Sequence, residues 1–177
     1  MTPAPDLRVG QGIDVHRFSS DPDRPLVLGG VTIEADDATG LDGHSDADVV
    51  AHAIADALLG AAGLGDLGRH FPDTDPQWAG ADSLTLLTWV VELVGEAGWV
   101  PVNADCTVVA ERPKLAPHVE VMADRLGQVL GAPVSVKATR AEGLGALGRA
   151  EGIACTAVVL VSGLVERDAD PTADADR

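Results

Sequence analysis

Two short segments of the chain combine histidines with carboxylates at spacings that suit metal binding. In the first, GIDVHRF, Asp14 and His16 are two residues apart, so a strand would point both side chains to one face. In the second, GHSDADVVAH, Ser45 followed by Asp48 and an apolar run predicts a helix start of the capping-box type, with His52 one turn later. Taken singly, the first pair also fits a solvated strand edge, and His52 fits a polar helix face.

Taken together, the two segments predict a zinc site with an open coordination position. Two imidazoles and one carboxylate, from Asp14, His16 and His52, are a common set of three protein ligands for zinc. A structural zinc site would usually be closed by cysteines, and none is near these residues in the sequence. His44 lies just before the predicted helix, where free backbone amides and the helix dipole attract phosphate. We therefore expect a metal ion beside a phosphate site.

Two other segments differ in composition from ordinary loops. Residues 66–76, DLGRHFPDTDP, combine turn-forming residues with carboxylates, although a plain solvent loop would fit as well. Residues 137–152, KATRAEGLGALGRAEG, join two predicted strands and could wrap a phosphate or a metal-bound diphosphate. The second segment is neither a Walker A loop nor a GxGxxG loop that opens a helix, so P-loop and Rossmann chemistry are not expected.

Strand-like and helix-like patterns alternate along the chain and indicate how these segments are positioned. Runs rich in Val and Ile predict strands at 8–18, 26–34, 100–111, 134–140 and 152–163. Apolar stripes at helical spacing predict helices at 46–62, 82–97 and 117–130. We expect an α+β fold, a two-layer sandwich whose mixed β-sheet carries helices on one face. Oligomerisation would then cover the other face.

Composition indicates a folded globular protein and excludes several functional classes. The 177 residues are 46% hydrophobic and 23% charged, which predicts a single domain over residues 1–165 and an acidic disordered tail over 166–177. The net charge of −16 argues against binding to nucleic acids or anionic membranes, because both require a basic protein surface. The sequence has no transmembrane or signal-peptide pattern, which predicts a cytoplasmic protein. Cys106 and Cys155 are then expected to be buried free thiols, with a disulfide or redox pair as the alternative.

Four long motifs resemble the 2-C-methyl-D-erythritol 2,4-cyclodiphosphate synthase family. They are GIDVHRF, GHSDADVVAHAIADALLGAAGLGDLGRHFPDTDP, ERPKLAPH, and KAT followed by EGLGALGRAEGIA, and the likeness runs over residues 8–161. The resemblance implies a phosphorus–oxygen lyase of non-mevalonate isoprenoid biosynthesis. It would convert 4-diphosphocytidyl-2-C-methyl-D-erythritol 2-phosphate to the 2,4-cyclodiphosphate and release CMP. The family also implies a homotrimer in which the sheets pack together and the active sites lie between subunits.

The same resemblance implies two metal ions and a set of substrate contacts. Zn²⁺ would be bound by Asp14, His16 and His52, and Mg²⁺ or Mn²⁺ on the diphosphate would be near Glu142. His44 would assist the transition state, residues 66–75 would meet the methylerythritol moiety, and residues 110–116 resemble a cytidine pocket that serves the neighbouring subunit. The implied substrate contacts are Asp14, Val15, His16, His44, Ser45, Asp66, Leu67, Gly68, Phe71, Pro72, Asp73, Thr74, Asp75, Ala110, Pro113, Lys114, Leu115, Ala116, Thr139, Arg140, Ala141, Glu142, Ala146 and Arg149.

The chain departs from the family pattern in the segment after Thr139. Arg140 and Ala141 stand where the family usually has two threonines, the first of which helps to stabilise the transition state. Arg140 could replace that hydroxyl with a charge-assisted contact to phosphate, or it could point away. Ala146 stands for a usual Phe and Ala150 for a usual Gly. Two alternatives therefore stay open, a zinc-dependent phosphohydrolase and an inactive trimer that binds a metal or an isoprenoid.

Overall fold

A computed structural model describes residues 6–36 and 38–164, so the predicted tail at 166–177 lies outside the described residues. Within the part of the chain that it describes, no helix has the length and apolar character needed to cross a membrane. The elements, in chain order, are β1 (Leu7–Arg17), β2 (Val27–Leu28), β3 (Val31–Thr32), α1 (Val49–Ala62), α2 (Leu67–His70), a 3₁₀ turn (Pro76–Trp78), α3 (Ser83–Glu96), β4 (Trp99–Val109), α4 (Val119–Leu130), β5 (Val134–Thr139), α5 (Gly145–Gly148) and β6 (Gly152–Gly163).

The main sheet has four strands in the order β1-β6-β4-β5. β6 pairs antiparallel with both β1 and β4, and β5 pairs parallel with β4, so the sheet is mixed as predicted. Helix α1 packs on β1 and β6, α4 packs on β5, and α3 lies against both helices and β4. The prediction of an α+β fold with a mixed sheet and a helical layer is confirmed.

The prediction of one continuous strand at 26–34 is wrong. Two short strands, β2 and β3, form a hairpin there, because Gly29 and Gly30 both adopt positive φ angles of 56° and 70°. Two consecutive left-handed residues form the tight turn that joins antiparallel strands, and glycine adopts that conformation without steric cost. The Val- and Ile-rich composition predicted extended backbone correctly but missed the reversal.

The predicted start of the first helix also needs correction. We expected a helix from residue 46 with Ser45 in the capping box, but α1 begins at Val49 and its N-cap is Asp48. The fully buried carboxylate of Asp48 accepts hydrogen bonds from the backbone N–H groups of Val50 and Ala51. It also accepts from the N–H groups of the hairpin glycines at 29 and 30. Asp48 therefore joins the hairpin to the helix and does not face the expected metal site.

Two glycines of β1 allow α1 to lie directly against the sheet. A Cβ atom on Gly12 would be 2.0 Å from the carbonyl oxygen of Ala53, and one on Gly10 would be 1.8 Å from that of Ala57. No side chain fits between these two backbones, so strand and helix are in unusually close contact. The next residue of β1 on the same face is Asp14, which therefore meets His52 of α1.

The opposite face of the sheet is largely apolar and carries no helix. Alternate residues of β1 point away from α1, and Val9, Ile13 and Val15 are 68%, 67% and 57% exposed. Val158 on the neighbouring strand β6 is 45% exposed. Exposed apolar residues that continue across paired strands typically mark a surface that another protein chain covers.

The two cysteines lie on the helical side of the sheet, one on β4 and one on β6. Both Cys106 and Cys155 are buried free thiols. A hydrogen bond with Cys106 and burial both raise the pKa of Cys155, which keeps its thiol protonated and unreactive.

Candidate active site

Asp14, His16 and His52 converge where the end of β1 meets the first turns of α1. The carboxylate oxygen Oδ2 of Asp14 lies 3.3 Å from Nε2 of His16 and 3.0 Å from Nδ1 of His52. One ligand atom from each residue lies within 4.8 Å of the other two. Among the described residues this is the one group of three or more histidines, cysteines or carboxylates arranged to hold a metal ion.

The hydrogen bonds within the cluster shift the pKa values of Asp14 and His16. Burial opposes ionisation of Asp14, but its hydrogen bonds to His16 and His52 outweigh burial and lower the pKa of Asp14. The hydrogen bond with Asp14 raises the pKa of His16 above its usual value, against the opposing effect of burial. The cluster therefore favours an ionised carboxylate, which is the form that binds a cation.

The ring orientation of His16 suits metal binding through Nε2. Its Nδ1 lies 2.6 Å from the backbone carbonyl oxygen of Asp42, which can only accept a hydrogen bond. In the neutral ring Nδ1 therefore carries the proton, and the lone pair of Nε2 faces Asp14 and the shared space. Metal-binding histidines usually donate their second nitrogen in this way.

The donor set and its spacing fit a zinc ion. Ligands about 2.0–2.2 Å from a tetrahedral zinc ion are roughly 3.3–3.6 Å apart. The Asp14 oxygen lies at 3.3 and 3.0 Å from the two imidazole nitrogens, which is close to that spacing. The side chains of Asp14 and His16 are each 22% exposed and that of His52 is 12% exposed, so the cluster is accessible from one side. A metal ion held there would keep a coordination position open to solvent or substrate.

Two cavities meet at the cluster. The larger one, about 500 Å³, is lined by Ile13, Asp14, His16, His52, Asp56, Leu67, Gly68, Phe71, Pro72 and Asp73. The other, about 290 Å³, is lined by His16, Gly43, His44, Ser45, His52, Leu67, Phe71, Asp73, Trp78 and Leu86. Most of the residues between 14 and 73 that the sequence predicted to contact substrate are therefore brought together. Val15 and Asp66 line neither cavity, Val15 because it lies on the uncovered face of the sheet.

The predicted substrate loop is held by backbone caps and by aromatic packing. Asp66 accepts a hydrogen bond from the N–H of Arg69, and Asp75 accepts one from the N–H of Gln77. The Phe71 ring packs on two tryptophan rings, with centroid distances of 5.1 Å to Trp78 and 6.0 Å to Trp89. Thr74 is exposed, and Nε2 of His44 lies 3.1 Å from the carbonyl oxygen of Asp75. Sequence patterns did not reveal this aromatic cluster, because Trp89 is on α3, outside the motif.

A separate cavity of about 320 Å³ lies at the carboxyl ends of β4 and β5. Its lining is Ala110, Glu111, Pro113, Lys114, Leu115, Ala116, Ala138, Thr139 and Arg140. Ligands commonly bind at this end of parallel strands. The structure therefore brings the predicted cytidine segment together with the predicted diphosphate segment, and Arg140 lines the cavity.

The residues after Arg140 leave this cavity. Glu142 is a non-glycine residue with a φ of 52°, and the next N–H, that of Gly143, donates to Oε1 of Glu111 at 3.1 Å. Ala141 and Ala146 line none of the three cavities described here, and Arg149 pairs with Glu151 at 2.6 Å. Ala150 has a φ of 55°, a left-handed conformation that glycine adopts at lower cost than alanine.

The metal cluster and the cavity at β4 and β5 lie at opposite edges of the sheet. His16 is on β1, next to Ile153 of β6, while Thr139 is on β5, next to Val109 of β4. Because β6 and β4 separate these strands, the two sites are three strand spacings apart, about 14 Å. One chain does not join them into a single pocket.

Sequence patterns missed a group of polar residues behind His52. Nε2 of His52 lies 2.8 Å from the hydroxyl oxygen of Ser83, whose hydroxyl donates to Asp46. The hydroxyl of Ser45 lies further away, at 3.3 Å from the same nitrogen. Ser83 is 31 residues from His52 and has no fixed spacing to it, so only the packing of α3 on α1 reveals the contact.

Comparison with known proteins places these features in a family. The model of the YgbB family matches residues 7–162, which is most of the chain. The chain belongs to the YgbB family. Proteins named 2-C-methyl-D-erythritol 2,4-cyclodiphosphate synthase from Symbiobacterium thermophilum and from Synechococcus sp. (strain CC9311) are 60% and 58% identical to it. These alignments cover 89% and 90% of this chain and 99% and 97% of the respective relatives.

Solved structures agree with this YgbB assignment. The CDP complex of IspF from Plasmodium falciparum matches with a TM-score of 0.75 and 30% identity. The match covers 91% of this chain and 99% of that one. The family resemblance that the sequence motifs predicted is thereby confirmed.

Proposed function

We propose that this chain catalyses the reaction for which its relatives are named, formation of 2-C-methyl-D-erythritol 2,4-cyclodiphosphate. The substrate is 4-diphosphocytidyl-2-C-methyl-D-erythritol 2-phosphate and the second product is CMP. The observation that carries the proposal is the cluster of Asp14, His16 and His52, which opens into two cavities lined by the matched motifs. The cavity at β4 and β5 supports it by offering a second, separate site for the nucleotide.

In this proposal two kinds of metal ion assist the reaction. Asp14, His16 and His52 hold Zn²⁺, and Glu142 takes part in holding Mg²⁺ or Mn²⁺ together with the substrate diphosphate. When bound, such ions neutralise phosphate charge and polarise phosphorus–oxygen bonds. A net charge of −16 repels a polyanion, so local cations are needed at the site, either metal ions or basic side chains such as Arg140.

The chemistry needs no nucleophile from the protein. An oxygen of the substrate's 2-phosphate, already ionised at neutral pH, attacks the β-phosphorus. The bond from the β-phosphorus to the oxygen bridging it to the α-phosphorus breaks, and CMP leaves with that oxygen. The protein's task is to position a flexible polyanion for ring closure, which can contribute up to roughly 7–11 kcal/mol in favourable systems.

Individual residues take roles that suit their positions. His44 and Ser45, beside the metal cluster, contact phosphate oxygens, and the loop at 66–75 holds the methylerythritol moiety. Residues 110–116 and Thr139 hold the nucleotide, and Arg140 supplies a cation to its phosphates. A guanidinium at this position keeps a donor where the family usually has a threonine hydroxyl.

We further propose a homotrimer with active sites between subunits. The uncovered apolar face of the sheet supports it, because Val9, Ile13, Val15 and Val158 need a partner surface. The separation of about 14 Å between the metal cluster and the nucleotide cavity of one chain supports it too, since a neighbour could supply the missing half. Sedimentation equilibrium tests the trimer, and a monomer at micromolar concentration would contradict it. The cytoplasmic location stays a prediction.

The activity is tested by incubating the zinc-loaded protein with the diphosphocytidyl substrate and Mg²⁺ and following the products by phosphorus NMR. Stoichiometric CMP and a cyclic diphosphate are expected. A linear phosphate product would instead identify the alternative phosphohydrolase. Binding of zinc and CMP without turnover would identify the inactive trimer.

Two variants make the assay specific for the site. Replacing His52 with alanine removes one metal donor, and we expect it to abolish cyclisation together with zinc binding. Thr88→Ala is the matched control, because Thr88 is exposed on α3 and its hydroxyl donates only to the carbonyl oxygen of Leu84. Full cyclisation by the His52 variant without bound zinc would contradict the proposed role of the cluster.

A further inference from the structure

The side chain of His52 has polar partners on both of its nitrogens. Nδ1 faces Asp14 at 3.0 Å, and Nε2 lies 2.8 Å from the hydroxyl oxygen of Ser83. Ser83 is the first residue of α3 and is 1% exposed, so water cannot substitute for its contacts. The Ser83 hydroxyl also lies against the carboxylate of Asp46.

The hydrogen-bonded series from Asp46 through Ser83 to His52 determines which of their atoms carry hydrogens. Asp46 is a carboxylate and accepts hydrogen bonds, so its close contact with the Ser83 oxygen requires the hydroxyl hydrogen to lie between them. The hydroxyl oxygen is then left to accept a hydrogen bond, and Nε2 of His52 must donate it. In the neutral imidazole the lone pair is consequently on Nδ1, the nitrogen that faces Asp14.

We propose that Asp46 and Ser83 are positioning residues that hold His52 in the tautomer and orientation required for metal binding through Nδ1. This inference rests on the proposed zinc site. It assigns a role to two residues that are not members of the metal cluster and do not line the two cavities beside it. Histidine ligands whose second nitrogen is held by a hydrogen-bonded partner bind metal more tightly.

The surrounding backbone explains why this arrangement is rigid. Asp46 accepts hydrogen bonds from the N–H groups of Ser83 at 3.1 Å and of Asp48 at 3.2 Å. The N–H of Asp46 itself donates to the carbonyl oxygen of Ala81 at 3.1 Å. These bonds connect the segment before α1 to the start of α3, so the Ser83 hydroxyl is held beside the ring of His52.

Ser45 is a weaker partner for the same nitrogen. Its hydroxyl oxygen lies 3.3 Å from Nε2, compared with 2.8 Å for Ser83. It also accepts a hydrogen bond from the N–H of Ala47 at 3.1 Å. Without the Ser83 hydroxyl, the partner left for Nε2 is the Ser45 hydroxyl, which is farther away and already accepts a hydrogen bond from Ala47.

The test is an equilibrium competition for Zn²⁺ between the full-length protein and a chromophoric chelator. Ser83→Ala is expected to weaken zinc binding by about 10–100-fold, the usual effect of losing such a partner. Asp46→Asn keeps the size of the side chain but removes the obligatory acceptor, and we expect about a tenfold loss. Thr88→Ala, which removes a hydroxyl from the exposed side of the same helix, should bind zinc like the wild type.

A second measurement separates positioning from a purely structural role. Nitrogen NMR of the metal-free protein reports which imidazole nitrogen of His52 is protonated. For the neutral ring we expect the hydrogen on Nε2 in the wild type and in the Thr88 variant, and a mixture of tautomers after Ser83→Ala. Thermal unfolding of the metal-free variants shows whether they stay folded, and general unfolding of both variants would overturn the proposal in favour of a structural role.

The proposal and the zinc assignment fail in different ways. If Ser83→Ala and Asp46→Asn are folded and bind zinc within threefold of the wild type, the positioning role is wrong while the zinc site stands. If the wild type and His52→Ala bind zinc equally, the zinc site itself is wrong and the positioning role fails with it.

Discussion

The metal cluster differs from the cavity at β4 and β5, which we propose for the nucleotide and call the nucleotide cavity, in how much of each site one chain builds. At the metal cluster each side chain has partners that fix it, such as the carbonyl of Asp42 for His16 and the hydroxyl of Ser83 for His52. At the nucleotide cavity Lys114, Thr139 and Arg140 are exposed side chains around an open space. A small ion is bound by a few closely placed side chains that one chain can supply, whereas a nucleotide needs a larger lined surface, which in the proposed trimer a neighbouring subunit would help to form.

The largest effect on activity should follow from removing one metal ligand of the cluster. His16→Ala is expected to abolish tight zinc binding and to lower kcat/KM for cyclisation by about 1,000-fold or more, since a metal ion supplies several kcal/mol of charge stabilisation. CMP should still bind with wild-type affinity, because its cavity shares no lining residue with the metal cluster. Equal losses of zinc and CMP affinity would show that the two halves are not independent.

The second prediction concerns the close contact that places His52 beside Asp14. Gly12→Ala puts a Cβ against the backbone of α1, which cannot give way as a side chain can. We expect a loss of about 3 kcal/mol in the free energy of unfolding, at the upper end for overpacking, together with weaker zinc binding as α1 moves away. Urea unfolding of the metal-free protein measures the first effect and chelator competition the second.

Gly95→Ala is the matched control for that variant. A Cβ at Gly95 meets nothing within 4 Å, and the residue lies in α3. Alanine at such a helical position should stabilise the protein by up to about 1 kcal/mol. A Gly12 variant as stable as this control, with unchanged zinc affinity, would show that the strand–helix contact does not determine the cluster geometry.

The comparison also explains which features the sequence could predict. Asp14 and His16 are two residues apart, so strand periodicity predicts that their side chains share one face. Their donor types, taken with that of His52, predicted that the three bind one metal ion. Most of the helices and strands of the helical layer and main sheet were predictable because apolar periodicity reports burial directly. In these regions local pattern and tertiary structure agree.

Other features depend on contacts between distant segments and could not be predicted from local patterns. The carboxylate of Asp48 accepts from the hairpin glycines as well as from α1, so it replaces Ser45 as the N-cap. The reversal at Gly29 and Gly30 interrupts a run whose composition is that of one strand. The contact of Ser83 with His52 exists only because α3 packs on α1.

The nucleotide cavity can be tested through Arg140, the residue at which this chain departs from the family pattern. Arg140→Ala is expected to weaken CDP binding by about tenfold, the value of one charge-assisted hydrogen bond at an exposed position. Arg140→Thr should weaken it less, because a hydroxyl can still donate to phosphate. Zinc affinity should be unchanged in both variants. Isothermal titration with CDP measures the effect, and wild-type affinity in the alanine variant would mean that Arg140 points away from the nucleotide.

The smallest predicted effect is the pH dependence of the metal-free cluster. The lowered pKa of Asp14 adds stability above its unfolded value of 3.8, and this stability is lost as the pH falls toward the folded value. The raised pKa of His16 adds stability that is complete below 6.5 and is lost as the pH rises through the folded value. The two contributions overlap between about pH 4 and 6.5, where the ion pair should add about 1 kcal/mol to the free energy of unfolding.

Zinc should reverse the upper part of this dependence, because it binds the neutral imidazole and competes with protons. Urea unfolding with a chelator present, compared between wild type and Asp14→Asn across this range, should show a difference that shrinks above pH 6.5. With zinc in excess the difference should instead grow with pH. A difference that is independent of pH in the metal-free protein would mean that Asp14 and His16 do not form an ion pair before the metal binds. In that case the arrangement of Asp14, His16 and His52 would be imposed by the bound metal ion and would not be present in the metal-free chain.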